Sequence, residues 1–364
     1  MDKDKLLIIF AGMIVGVLAV VLVQMGNPAN MGFCIACFIR DISGAMGLHQ
    51  AAVVQYMRPE IIGLILGAFI AAISWKEFRS SGGSSPSTRF VLGAIMMIGA
   101  LVFLGCPLRM MLRLAGGDLN ALVGIPGYVV GIWVGIYFLK NEFSLGRSQN
   151  QSTANGIVPV FVAIFWLILL LSAPTFIYFS QEGPGSEYAL WGISLAAGLI
   201  TGLLAQRSRL CTMGGIRDLI LFRDTHLFMG LVALIVVAFV GKLATGMFNP
   251  GFLEQPVAHN DAIWNFMGLA VVGFAAVLAG GCPMRQLVLA GEGNSDGLIT
   301  VLGMVAGAAL SHNFALAGSP AGVGLNAQIA VGVCVIVLLL IGIGNSKLSG
   351  LVGSRSDRNP SINS

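Results

Sequence analysis

The sequence predicts an all-α integral membrane protein: an inverted repeat of two five-span halves, each with two short non-spanning helices carrying cysteine motifs. Three observations predict it. The 364 residues are 56% hydrophobic and 10% charged, whereas a soluble globular chain carries about 45–50% and about 25%. Apolar runs of bilayer-crossing length recur along the chain. One short stretch occurs twice, as Gly105-Cys106-Pro107-Leu108-Arg109 and as Gly281-Cys282-Pro283-Met284-Arg285.

Each copy is preceded by its own cysteine segment. In Cys34-Ile35-Ala36-Cys37-Phe38-Ile39-Arg40-Asp41 and Cys211-Thr212-Met213-Gly214-Gly215-Ile216-Arg217-Asp218, the leading cysteine is followed by the same Ile-Arg-Asp ending. The two repeated cysteines of each half, Cys34 and Cys106, then Cys211 and Cys282, are 72 and 71 residues apart, so the chain is a duplication with an offset of 176 or 177.

In chain order, the apolar runs lie near 6–25, 60–75, 89–104, 122–139 and 157–178, then near 188–205, 227–247, 263–280, 298–317 and 327–343. A bilayer crossing needs about 17–25 apolar residues, and the two shortest runs reach this with small extensions or slight mismatch. The first run exceeds the h-region of a secretory signal and has no small-x-small cleavage site, so it is read as a retained span. Between the first and second spans of each half, an Arg-Asp pair interrupts the cysteine segment and makes a crossing costly. The spacing therefore predicts short helices that enter the membrane without crossing it, there and after Cys106 and Cys282. Small-xxx-small pairs such as Gly12/Gly16, Gly63/Gly67 and Gly127/Gly131 predict close helix packing.

The expected units are a first transmembrane repeat at 1–178, a second, inverted one at 179–345 and a polar cytoplasmic tail at 346–364. Polar linkers at 79–88 and 146–156 read as surface loops, and a cut in the second is expected to be structurally harmless. With a cytoplasmic N-terminus, fifteen Lys and Arg residues fall on inside segments and four, Arg40, Arg58, Arg109 and Arg113, on outside ones. Both termini are thus expected inside. An odd number of crossings turns the second repeat upside down. Cys34 and Cys106 then enter from the outer face, and Cys211 and Cys282 from the cytoplasmic face. The net charge of +4 reads as topology, and no nucleic-acid surface, phosphate-cradling loop or hydrolase triad is present.

In Gly-Cys-Pro-x-Arg the proline suits the first helical turn, which puts the cysteine at the N-cap. Free N–H groups and the positive dipole end then face the sulfur and favour an anion beside it. The same field favours thiolate chemistry. Arg109 and Arg285, one turn on, suit either an oxyanion or a topology marker. Arg40 and Arg217 suit ion pairs with Asp41 and Asp218. Cys37, without a counterpart in the second half, suits a redox pair with Cys34 or a second soft contact. Cys334, alone in the last span, reads as packing. His312 is the single candidate for a proton-coupling group, against a role in helix packing. Four thiolates suit a structural zinc, but ligands arriving from opposite faces suit a route better than a cage, so no metal or cofactor is expected.

Through these cysteine segments and both Gly-Cys-Pro motifs, the chain resembles the YeeE/YedE family of bacterial inner-membrane sulfur transporters, over nearly its whole length. Cys34 to Asp41 is similar to the subgroup associated with selenium compounds. The resemblance implies a non-enzymatic uptake transporter for a small sulfur-containing anion, thiosulfate, or a related selenium compound. It implies that Cys34, Cys106 and Cys282, with Cys211 fitting the same pattern, present S–H groups to the substrate sulfur and relay it inward. It also implies a separate cytoplasmic TusA-like sulfurtransferase as partner. The alternative from the residues is a membrane thiol-disulfide oxidoreductase using Cys34-Cys37 and the other motif cysteines.

Overall fold

The computed structural model describes residues 3–348; beyond 348, the tail expected at 346–364 lies outside the described residues. The first half folds as α1 (Lys3–Gln24), α2 (Ile35–Ala45), α3 (Pro59–Ser74), α4 (Pro86–Val102), α5 (Pro107–Ala115), α6 (Leu119–Lys140) and α7 (Thr153–Ser172). The second half follows as α8 (Trp191–Ser208), α9 (Thr212–Phe222), α10 (His226–Ala244), α11 (Ala262–Ala279), α12 (Pro283–Gly291), α13 (Ser295–Asn313) and α14 (Leu325–Gly344). Each of the ten apolar runs falls on one helix, and each cysteine motif opens a helix of 9 or 11 residues.

Seven helical stretches are long and apolar enough to cross a bilayer: α1, α6, α7, α10, α14, and the continuous stretches Pro86–Ala115 and Ala262–Gly291. In the last two, a long helix is followed at once by a Cys-Pro helix. The chain is a multi-pass membrane protein. Three expected spans fall outside that set: α3 has 16 residues, and α8 and α13 carry polar side chains. Those side chains point inward, with Ser194, Thr201, Gln206, Asp296, Thr300 and Ser311 all buried, so the helices are apolar only where they need to be.

The halves interlock through four helix pairs: α1 with α10, α3 with α8, α4 with α13 and α6 with α11. Exchanging the halves maps the first pair onto the second and the third onto the fourth. Glycine makes these contacts possible. A Cβ on Gly12 would lie 2.0 Å from the Gly230 carbonyl, and one on Gly67 2.1 Å from that of Leu199. Gly12 meets Gly230 and Gly16 meets Leu234, so α1 and α10 run in the same direction. By contrast, Asn27, just past α1, accepts the Ala189 N–H just before α8. At the start of α4, Arg89 donates to the Ala279 carbonyl at the end of α11. Each of these first-half helices thus meets its counterpart end to start.

The polar linkers are not loose loops. Ser81–Gly82 and Gln149–Asn150 pair as two antiparallel strands, β1 and β2. Asp296, in the first turn of α13, accepts the Gly83 and Ser84 N–H groups at 2.9 and 3.1 Å and the Ser148 hydroxyl at 2.7 Å. A buried carboxylate must be satisfied, and the backbone of the first linker and the Ser148 hydroxyl of the second satisfy it, which bears on the expectation that a cut at 146–156 is harmless.

Candidate functional site

All four repeated cysteines are N-caps. Cys34 caps α2, Cys106 caps α5, Cys211 caps α9 and Cys282 caps α12, and Pro107 and Pro283 occupy the first turn of the second short helix in each half. The Cys34 sulfur accepts the Cys37 N–H at 3.3 Å, and the Cys211 sulfur that of Gly214, also at 3.3 Å. A cysteine is thus doing what Ser or Asp does at most helix starts.

These caps meet in pairs. Cys34 Sγ lies 4.0 Å from Cys106 Sγ, and Cys211 Sγ lies 3.5 Å from Cys282 Sγ. Both pairs are free thiols and buried. Backbone N–H groups of Arg109 and Ala36 face Cys106, and those of Arg285 and Thr212 face Cys282. Each pair therefore sits where two helix N-termini converge, giving two positive dipole ends and a cluster of N–H donors around two soft sulfurs. In addition α2 touches α12 and α5 touches α9, which brings the short helices of the two halves together. Tyr128, fully buried on α6, lies within electrostatic reach of Cys106, Cys211 and Cys282 and shares a 3.1 Å hydrogen bond with Thr212 Oγ1. Thr212 also lies within electrostatic reach of Cys282.

Around the first-half pair the surroundings are cationic. Arg40, Arg58, Arg109, Arg113 and Lys242 are buried there with Asp41, Glu60 and Asp118. Asp41 takes Arg40 and Arg58, each at 2.7 Å, and Asp118 takes Arg113 at 2.6 Å. Arg109 has no carboxylate among its hydrogen-bond partners: it donates to the carbonyls of Asn30 and Val257 at 3.1 Å, of Pro256 at 3.4 Å, and of Leu104, and it lies 3.5 Å from Cys37 Sγ. Leu104 holds φ +60° where the second half has Gly280 at φ +80°. Left-handed backbone disfavours a branched side chain, and this turn carries the carbonyl that Arg109 holds. Above Leu104 and Val257 opens a cavity of about 550 Å³, also lined by Arg40 and His312.

The predicted residues therefore divide. Cys34, Cys106, Cys211 and Cys282 come together as two pairs, with Cys37 beside the first. Cys34 faces Cys106 across the helix junction, and its contact with Cys37 is through the backbone N–H. Arg109 is wholly enclosed. Arg285 instead forms a two-pronged ion pair with Glu292 at 3.1 and 3.2 Å, near the opposite surface. Arg217 pairs with Asp218 at 2.8 Å and Arg40 with Asp41, as their adjacency suggested. Cys334 is buried in α14 away from these motifs. His312 lies against His49 in a tilted pair with ring centroids 4.6 Å apart, and its Nε2 is buried without a hydrogen-bond partner among the described residues. Among the described residues, no three His, Cys, Asp or Glu side chains converge as for a metal ion.

Sequence reading missed Tyr128, Thr212, Asp118 and Lys242. Lys242 carried a signal, a lysine inside an apolar run, and Asp118 another, an acid five residues after Arg113. Tyr128 and Thr212 carried none, since both are ordinary residues in such helices.

Comparison with known proteins bears on the second thiol pair. Residues 207–343 match the family model for sulphur transport. Over this stretch the chain is similar to that family. The matched segment contains Cys211, Cys282 and the whole of α9 and α12, half of the repeated motif set. The thiosulfate transporter TsuA of Escherichia coli is 32% identical over 99 residues, 27% of this chain and 28% of that protein. TsuA of Spirochaeta thermophila is 31% identical over 99 residues, 27% of this chain and 29% of that one. The aligned stretch thus spans less than a third of either relative's length.

Proposed function

We propose that this protein is an uptake transporter for thiosulfate or a closely related soft anion, in which selenium can stand for sulfur, across a bacterial inner membrane with both termini cytoplasmic. The observation that carries the reading is the pairing of Cys-capped helix N-termini, Cys34 with Cys106 and Cys211 with Cys282, at 4.0 and 3.5 Å. Dipole ends and N–H donors suit the oxyanion end of such a substrate, and thiols suit its soft sulfur, through S–H contacts that need neither an oxidant nor a reductant. We read the two halves as an inverted repeat, which end-to-start meeting of counterpart helices supports. In that frame, Cys34, Cys37 and Cys106 form the outer station and Cys211 and Cys282 the inner one, with Tyr128 between them. Arg109 holds the outer station closed beneath the 550 Å³ vestibule. Arg285 is freed for substrate when its pair with Glu292 opens. A cytoplasmic sulfurtransferase of the TusA type would draw off the product.

The test is uptake of radiolabelled thiosulfate into proteoliposomes by wild type, Cys106→Ala, Cys282→Ala and Cys334→Ala, with selenosulfate as competitor. Uptake lost in the first two variants and kept in the third is expected. Normal transport by both motif variants would overturn the thiol route. Transport that survives only in oxidant and generates a Cys211–Cys282 disulfide would point to the oxidoreductase reading instead.

A further inference from the structure

The seam between α1 and α10 carries two adjoining cavities that neither thiol pair touches. The first is a groove of about 310 Å³ lined by Val17, Val20 and Val21 of α1 and Val236, Val237 and Val240 of α10. Val17, Val236 and Val240 are 44%, 52% and 56% exposed, on the surface that a membrane protein turns to lipid. The second, of about 210 Å³, starts next along both helices, at Val23 and Lys242, and closes over Asn30, Gly116, Gly246 and Asn249. One cavity is apolar, the other cationic, and α1 and α10 run parallel past both.

Lys242 is the feature that demands an explanation. It is 2% exposed, and its ammonium donates to Asn30 Oδ1 at 2.5 Å and to the Leu112 carbonyl at 2.7 Å. Both acceptors are neutral, and an ammonium has three donors. The charged groups that face it are Arg109 and Asp118, and Asp118 is already held by Arg113 at 2.6 Å. Three buried cations thus share one carboxylate. A buried charge without a counter-charge is strongly unfavourable, so an anion in this cavity would be stabilised. The valine groove leading away from it in the direction of the membrane interior says which kind: an inorganic anion would fill the cationic cavity and leave the groove bare.

We propose that the α1–α10 seam binds an anionic phospholipid, with the phosphate beside Lys242 and Asn30 and one acyl chain along the valine groove. Because α1 belongs to the first half and α10 to the second, the lipid would clasp the two halves together. The site stands whether or not thiosulfate is the cargo, since its readout is lipid binding and not transport.

The experiment uses the full-length protein in detergent, with native mass spectrometry for retained lipid and thermal unfolding for its effect. Phosphatidylglycerol is compared with phosphatidylcholine, sodium phosphate and sodium thiosulfate on wild type, Lys242→Met and Val240→Trp, the last filling the groove from its exposed side. Wild type is expected to retain phosphatidylglycerol in preference to phosphatidylcholine and to melt several degrees higher with it, as linkage requires of a ligand that binds the folded state. Both variants are expected to lose most of that shift. If Lys242→Met does not fold, Val240→Trp alone decides. Equal retention of the two lipids, or a shift unchanged in Val240→Trp, overturns the proposal. So does a Lys242-dependent shift that phosphate or thiosulfate reproduces without lipid, which would make the cavity a site for free anions.

Discussion

Tyr128 shares its hydroxyl hydrogen bond with Thr212, and Thr212 lies within electrostatic reach of Cys282, so one phenolic oxygen holds a hydroxyl near the second thiol pair. Tyr128→Phe keeps the ring and its packing. A lost buried hydrogen bond of this kind destabilises by about 1 kcal/mol, and the thermal midpoint should fall accordingly. If the hydroxyl orients Thr212 toward passing substrate, the maximal uptake rate falls several-fold while KM stays near wild type. An unchanged rate with the same small loss of stability would confine Tyr128 to packing. Asp118 is a different case. It accepts Arg113 at 2.6 Å and the Asn120 backbone N–H at 2.9 Å, both wholly buried. Asp118→Ala leaves Arg113 with the Phe103 carbonyl and ring. Breaking a buried pair from one side destabilises by about 3–5 kcal/mol. The yield of monodisperse, inserted protein should drop sharply, and size-exclusion chromatography would reveal it.

At the scale of elements, helix contacts and linkers make opposite demands on glycine and on acid. Gly67 on α3 would place a new Cβ 2.1 Å from the backbone of α8, whereas Gly192 in the first turn of α8 has nothing within 4 Å. Gly67→Ala should therefore push the α3–α8 pair apart and lower the melting point by many degrees. Gly192→Ala should raise stability by up to about 1 kcal/mol through helix propensity alone. Thermal unfolding of the two side by side checks the contrast. The first contact was legible in the sequence as the Gly63/Gly67 spacing, because close packing leaves small residues at a fixed period. The ten runs were legible too, and so were the N-caps, since Cys-Pro fixes where a helix starts. The linker pairing was not: it depends on Asp296, which lies about two hundred residues from the Gly83 and Ser84 amides it accepts. Asp296→Ala should speed proteolytic nicking at 146–152 relative to wild type. Nor did spacing reveal that Cys34 meets Cys106, because the register between two short helices 72 residues apart is set by the long helices between them.

For the whole molecule, if it carries an anion as proposed, the question is what moves when that anion crosses. Near the first thiol pair, with Lys242 left to the lipid, four buried arginines face three buried carboxylates, a net positive charge that suits an anion such as dianionic thiosulfate at the proposed outer station. Moving it toward a negative interior then works against the membrane potential by about 2.3 kcal/mol per charge per 100 mV, roughly 4 to 5 kcal/mol for two charges. No buried carboxylate lies among the described hydrogen-bond partners of the Cys211–Cys282 pair to carry protons along, and His312 lies against His49 beside the 550 Å³ cavity. The intact anion is therefore expected to travel uncompensated, drawn by consumption of the product. In proteoliposomes with a potassium gradient and valinomycin, an inside-positive potential should speed the initial uptake of thiosulfate and an inside-negative one should slow it. A rate indifferent to potential would mean that two protons accompany the anion, or that only the sulfur atom passes from thiol to thiol. The two are separable, because proton uptake acidifies the lumen, whereas sulfur transfer leaves sulfite outside.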